Sequence, residues 1–131
     1  AEPWARLDRA ALTLAGLTGR MTGLAEPAVR EAAEADRSLR ELASRVAGVE
    51  RALNMAPRGP LAEVHATLVT QLEDGVAAYE RLVVAAAGYV AEDARPTVEH
   101  AAAAARLTEA TDLLHGVASA LAELRTPLRT S

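Results

Sequence analysis

Apolar residues return every three or four positions along most of this chain. Leu39, Leu42, Val46, Val49 and Leu53 form one seam, and Leu107, Ala110, Leu114, Val117, Leu121 and Leu124 form another. A mean spacing near 3.5 residues is that of helices packed side by side along their length. The pattern predicts an all-α antiparallel helical bundle with helices over 3–22, 27–55, 61–92 and 96–125, in one domain spanning 1–131.

The first segment sets Trp4, Leu7, Ala10, Leu14, Leu17, Met21 and Leu24 on one stripe, with Pro3 suited to a first helical turn. Gly16, Gly19 and Gly23 weaken it, since each costs about 1 kcal/mol against Ala inside a helix. Gly23 and Pro27 then end or kink it. A turn there gives four helices, and a kink gives a long three-helix coiled-coil bundle. In the second segment Ala28, Ala32 and Ala35 lead into the Leu39 seam, while acids and arginines fill the remaining positions. Glu26 and Arg30, Asp36 and Arg40, and Glu41 and Arg45 stand four apart in the favourable acid-first order.

Pro57, Arg58, Gly59 and Pro60 are a short breaker, so the third helix runs back antiparallel to the second. That helix carries two adjacent stripes. Leu61, Leu68, Leu72, Tyr79, Leu82 and Ala86 make one, and Val69, Val76, Val83 and Val90 make the other. A face so wide meets two partners and places this helix at the centre of the bundle. A second break at Asp93, Ala94, Arg95 and Pro96 precedes the last helix, which Pro127 stops. Its start, 101–105, is all alanine: it favours helix but offers little to bury, so it packs very closely on the third helix or frays.

At 131 residues the chain has the length of one domain with a core of its own. Cys and Phe are absent and Trp4, Tyr79 and Tyr89 are the aromatics, so Leu, Val and Ala must fill that core, and disulfides and thiolate chemistry are excluded. All 14 basic residues are arginine, which together with the abundance of alanine fits a GC-rich bacterial genome. The net charge of −4 is spread without a basic cluster, which argues against nucleic acid as a partner. No apolar run approaches the roughly 20 residues that span a bilayer, and no signal-peptide pattern is present.

Candidate chemistry is sparse. A dimetal site in a helical bundle needs Glu-x-x-His pairs on two helices. Here Asp112 and His115 have that spacing once, while Glu63 and His65, and Glu99 and His100, stand too close in sequence to share a helical face. His65 lies nearest a seam and is expected as a partly buried, satisfied imidazole. None of Ser38, Ser44, Ser119 and Ser131 sits in a strand-turn-helix elbow or a Gly-rich oxyanion context. No catalytic residue, cofactor or metal is therefore assigned.

The expected function is non-enzymatic protein-protein interaction through a helical surface. Arg37, Arg40, Glu41 and Arg45 on the second helix are the expected contact charges, with Leu14 and Leu17 available if the first helix detaches. Homo-oligomerisation through a leftover heptad face is an alternative, as is a small all-α enzyme or ligand carrier.

The run Leu72, Glu73, Asp74, Gly75, Val76, Ala77, Ala78, Tyr79, Glu80, Arg81, Leu82 and Val83, followed by 85–87 and by Tyr89, Val90 and Ala91, resembles the membrane-associated phage-shock protein family of actinobacteria, PspM. The later run from Leu107 through His115 and Gly116 to Leu124 is similar to the end of that family. The resemblance implies a cell-envelope stress accessory whose helical domain engages the coiled-coil phage-shock effector at the cytoplasmic face of the cell membrane. Membrane attachment would then come through segments outside this chain. It carries over no catalytic residues.

Overall fold

The structure, a computed structural model, describes residues 2–20, 25–57, 59–92 and 98–125. The described residues form α1 (Glu2–Leu17), a short 3-10 turn (Thr18–Arg20), α2 (Glu26–Met55), α3 (Pro60–Glu92) and α4 (Val98–Arg125), with no strand among them. The protein is an all-α bundle. Each helix is antiparallel to the next, and opposed side chains fix the directions. Leu39 of α2 and Val117 of α4 both meet Gly75 of α3. Glu50 of α2 meets His65 near the α2–α3 connection, and His100 of α4 lies against Tyr89 near the next one.

α1 reverses against α2, with Asp8 bonded to Arg40 and Trp4 sharing a cleft with Val46. This is the four-helix arrangement, and residues 21–24 themselves lie outside the described residues. Gly16 and Gly19 face open space, so they serve helix termination and not close packing: α-helix gives way to the tighter turn after Leu17. α1 nevertheless packs mainly along α3 and only marginally on α2. α3 is the shared axis, contacting all three other helices.

The core follows the two stripes of α3. Leu72, Val76, Tyr79, Leu82, Val83 and Ala86 are buried between Leu39 and Leu42 of α2, Leu107 and Leu114 of α4, and Leu7 of α1. Val49 and Leu53 continue the α2 seam but are only half-buried. They lie toward the α2–α3 connection. The α2 backbone stops when the Ala56 N–H donates to the Ala52 carbonyl, and Gly59 follows at φ 109°, a left-handed conformation that Gly adopts without strain. The alanine start of α4 packs closely, with Ala103 buried and Ala102 and Ala104 half-buried.

Gly75 is the tightest point. A methyl group there would run into Leu39, itself held in the core, and would also touch Val117. Gly75→Ala gains about 1 kcal/mol of helix propensity but overpacks this junction at a cost of about 1–3 kcal/mol, so a net loss is expected. Gly116, on α4 with open space around it, is the control: Gly116→Ala should stabilise by up to about 1 kcal/mol in urea unfolding.

Tyr79 supplies a pH signature. Burial pushes its phenol up to about 12, with Asp36 adding to the effect and Arg40 opposing it. A phenol that ionises more readily unfolded than folded keeps the fold stable below pH 10, and that contribution disappears as pH rises from 10 toward 12. Two units correspond to roughly 2–3 kcal/mol. Unfolding at pH 9 and pH 11 should show about half of this loss, on the order of 1 kcal/mol, in the native chain and a much smaller one in Tyr79→Phe.

Candidate functional site

Beside its two core stripes α3 carries a third, made of Ala77, Arg81, Val84 and Gly88 at spacings of four, three and four residues. Across from it α4 presents Arg106, Ala110 and Leu113, spaced four and three. Together with Glu80, Ala85 and Glu109 they line an open, mostly apolar groove of about 900 Å³ between the two helices. Its floor is small: Ala77, Ala85, Gly88 and Ala110. Val84, at 73% exposure, and Leu113, at 42%, stand up from it as apolar knobs. Heptad spacing on both walls over a floor of Ala and Gly suits a further helix inserting larger side chains.

The rim is charged. Glu80 is held by Arg6 of α1 through two hydrogen bonds, Nη2 to Oε1 at 2.6 Å and Nε to Oε2 at 3.2 Å. That pair holds the Glu80 carboxyl below its ordinary value, against the opposing effect of burial. Arg81, Arg106 and Glu109 are exposed and make no ion pair among the described residues. With Glu80 neutralised by Arg6, the rim has two arginines against one glutamate, a local positive excess on a chain of net charge −4.

The residues expected to make contacts fall into two sets, the charges of α2 and the leucines of α1. Arg40 is not an open docking charge: its Nε donates to Asp36 at 3.1 Å, its Nη1 to Asp8 at 2.9 Å, and its guanidinium lies 5.9 Å from the centre of the Trp4 ring. The Asp36 bond, joined by the one to Asp8, holds Arg40 above its ordinary value although burial opposes it. Arg40 fastens α1. Leu14 is buried in the core and Leu17 half-buried against it, so both become available only if α1 lifts away. Arg37, Glu41 and Arg45 are exposed on α2. Arg37 borders a cleft toward α4, and Arg45 lies beside Val64 and Leu68 near the hairpin tip.

The histidines sit on different helix pairs. His65 Nε2 is 3.0 Å from Glu50 Oε2, a part-buried, partnered imidazole as its place near a seam suggests. The His100 ring lies 5.2 Å from the Tyr89 ring at a tilt of 38°, and His115 Nδ1 is 2.9 Å from Glu31 Oε1. No group of three or more His, Cys, Asp or Glu among the described residues is arranged to hold a metal ion.

The α3–α4 groove escapes a search by hydrophobicity because most of its lining is Ala, Gly and Arg, and its two large apolar residues, Val84 and Leu113, lie on different helices. The repeated spacing of 77, 81, 84 and 88 was the available signal. No helix among the described residues is long and apolar enough to cross a membrane.

Fastening of α1 is measurable. Exposed pairs of this kind contribute under about 1 kcal/mol each, and a cation over an aromatic ring adds about 0.5–1 kcal/mol. Arg40→Ala, which removes all three contacts, should destabilise by about 1–2 kcal/mol in urea unfolding, and Asp8→Ala by less than 1 kcal/mol. Because Glu80 is depressed in the fold, the stability it supplies is present above the ordinary carboxylate range and is lost as pH falls below that range through the lowered folded value.

A family model, that of the Rv2743c family, matches residues 1–124. No curated protein and no solved structure matches the chain.

Proposed function

The chain belongs to the Rv2743c family, and we propose that its bundle is a protein-interaction module that receives an amphipathic partner helix in the α3–α4 groove. The observation that carries this reading is the groove itself, with heptad-spaced walls, a floor of small residues, and Val84 and Leu113 exposed above it. Burying such knobs between helices supplies affinity at about 25 cal/mol per Å² of apolar surface, less the cost of ordering the partner. The activity at this groove is binding and not catalysis.

The rim selects the partner. Two arginines and one glutamate favour a helix with acidic flanks. A second copy of this chain would bring an arginine-rich rim against its like, which disfavours self-pairing here. The residues that resemble the actinobacterial phage-shock protein PspM, 72–83, 85–87, 89–91 and 107–124, include Ala77, Glu80, Arg81 and Ala85 of one groove wall and Glu109, Ala110 and Leu113 of the other, but not Val84, Gly88 or Arg106. This coincidence supports a coiled-coil phage-shock effector as the partner and an envelope-stress role at the cytoplasmic face of the membrane, attached through segments outside this chain.

Gly88→Glu tests the groove. The Cβ position at Gly88 meets nothing within 4 Å, so the fold tolerates a side chain there, while a carboxylate projects into the groove and repels acidic flanks. Calorimetric titration with the coiled-coil phage-shock effector should give saturable binding that weakens with salt, and Gly88→Glu should reduce affinity at least tenfold, about 1.4 kcal/mol. Equal affinity in the variant, or no binding by the folded native chain, would contradict the reading.

A further inference from the structure

On a different face, α2 and α4 enclose a polar cleft of about 310 Å³. Glu31 Oε1 lies 2.9 Å from His115 Nδ1, and His115 Nε2 lies 3.5 Å from Ser119 Oγ. In the neutral tautomer that carries its proton on Nδ1, the carboxylate oxygen accepts from Nδ1–H and Nε2 turns its lone pair toward the serine hydroxyl. His115 and Ser119 stand one helical turn apart on α4, whereas Glu31 comes from α2, so the series of contacts exists only in the folded bundle. The carboxylate is well buried, with only 14% of its side chain exposed, and Glu31 Oε2 is buried without a hydrogen-bond partner. His115 is 65% exposed, which leaves the reacting end open to a ligand.

We propose that Ser119, His115 and Glu31 form a serine acyl-transfer site that takes small carboxylic esters, with Arg37 as the cation available to the developing oxyanion. This goes beyond the interaction reading and uses none of the groove residues. Ser119 Oγ attacks the ester carbonyl while its proton passes to His115 Nε2, and the collapsing intermediate expels the alcohol, which takes that proton. Water then attacks the acyl-serine with His115 again accepting a proton. The acid leaves and the serine is restored, so the net reaction is ester plus water to acid plus alcohol. Glu31 positions the imidazole. Arg37 lines the same cleft, as does Glu34, whose charge disfavours anionic substrates. Backbone N–H groups within α4 are engaged in the helix, so the oxyanion must rely on a side chain, and turnover should be slow. An apo separation of 3.5 Å is compatible with this role, because such contacts tighten when substrate binds.

The test uses the full chain with a fluorophosphonate probe, which traps an activated serine, and with p-nitrophenyl acetate as ester. Peptide mapping should place the probe on Ser119 in the native chain and not in urea-unfolded chain. His115→Gln should slow labelling and hydrolysis about a hundredfold. Ser119→Ala should abolish labelling. Glu31→Gln keeps an acceptor oxygen but removes the charge, and should slow labelling while circular dichroism stays unchanged. Labelling of Ser38 or Ser44 at the same rate as Ser119, no label at all, or an unchanged rate in His115→Gln would each overturn the assignment. Ester hydrolysis that persists in Ser119→Ala would overturn it too, since the imidazole alone would then be the nucleophile. None of these outcomes bears on partner binding at the groove.

Discussion

At Gly75 three helices meet around the place where a side chain is missing. Leu39 of α2 occupies the space a methyl group would need, and Val117 of α4 closes the other side. Packing at this junction sets how near α2 and α4 lie to α3, and the remaining architecture follows. α3 gives two stripes to that core and its flank to α1. The side between α4 and the Arg6–Glu80 pair stays open, and this opening is the groove.

Small residues do two kinds of work in the molecule. In the interior, Ala28, Ala32, Ala35, Ala86 and Ala103 are almost fully covered and let the helix backbones approach. In the groove, Ala77, Ala85, Gly88 and Ala110 leave holes that this chain does not fill. One compositional bias therefore yields both a tight core without Phe and an unfilled surface suited to larger side chains from elsewhere. α1 is the least embedded element. It is held by Leu7, Ala10 and Leu14 below and by the charges of Arg6, Asp8 and Arg40 at its edges, so its docking weakens as salt screens those pairs.

The periodicity of Leu39, Leu42 and Val46 and of Leu107, Leu114 and Leu121 made the helices and their core faces legible, because burial of large apolar side chains leaves a strong repeating signal. The double stripe on α3 likewise announced a central helix. Less was legible at the surface. Arg40 looks like one charge in a row of charges, and only the approach of Asp8 and Trp4 from α1, more than thirty residues away in sequence, makes it a tie between helices. The association of Glu31 with His115 is equally nonlocal. The groove is hidden for a different reason: most of its lining is Ala, Gly and Arg, which carry little hydrophobic contrast, and Val84 and Leu113 stand on separate helices, so neither extends a stripe in the sequence.

Hydrogen exchange of this chain, free and bound to the coiled-coil effector, distinguishes the groove from α2 as the docking surface. Docking in the groove adds protection over 77–88 of α3 and 106–113 of α4 and leaves 37–45 of α2 unchanged. Protection confined to α2, with the groove segments exchanging as in the free chain, would contradict it.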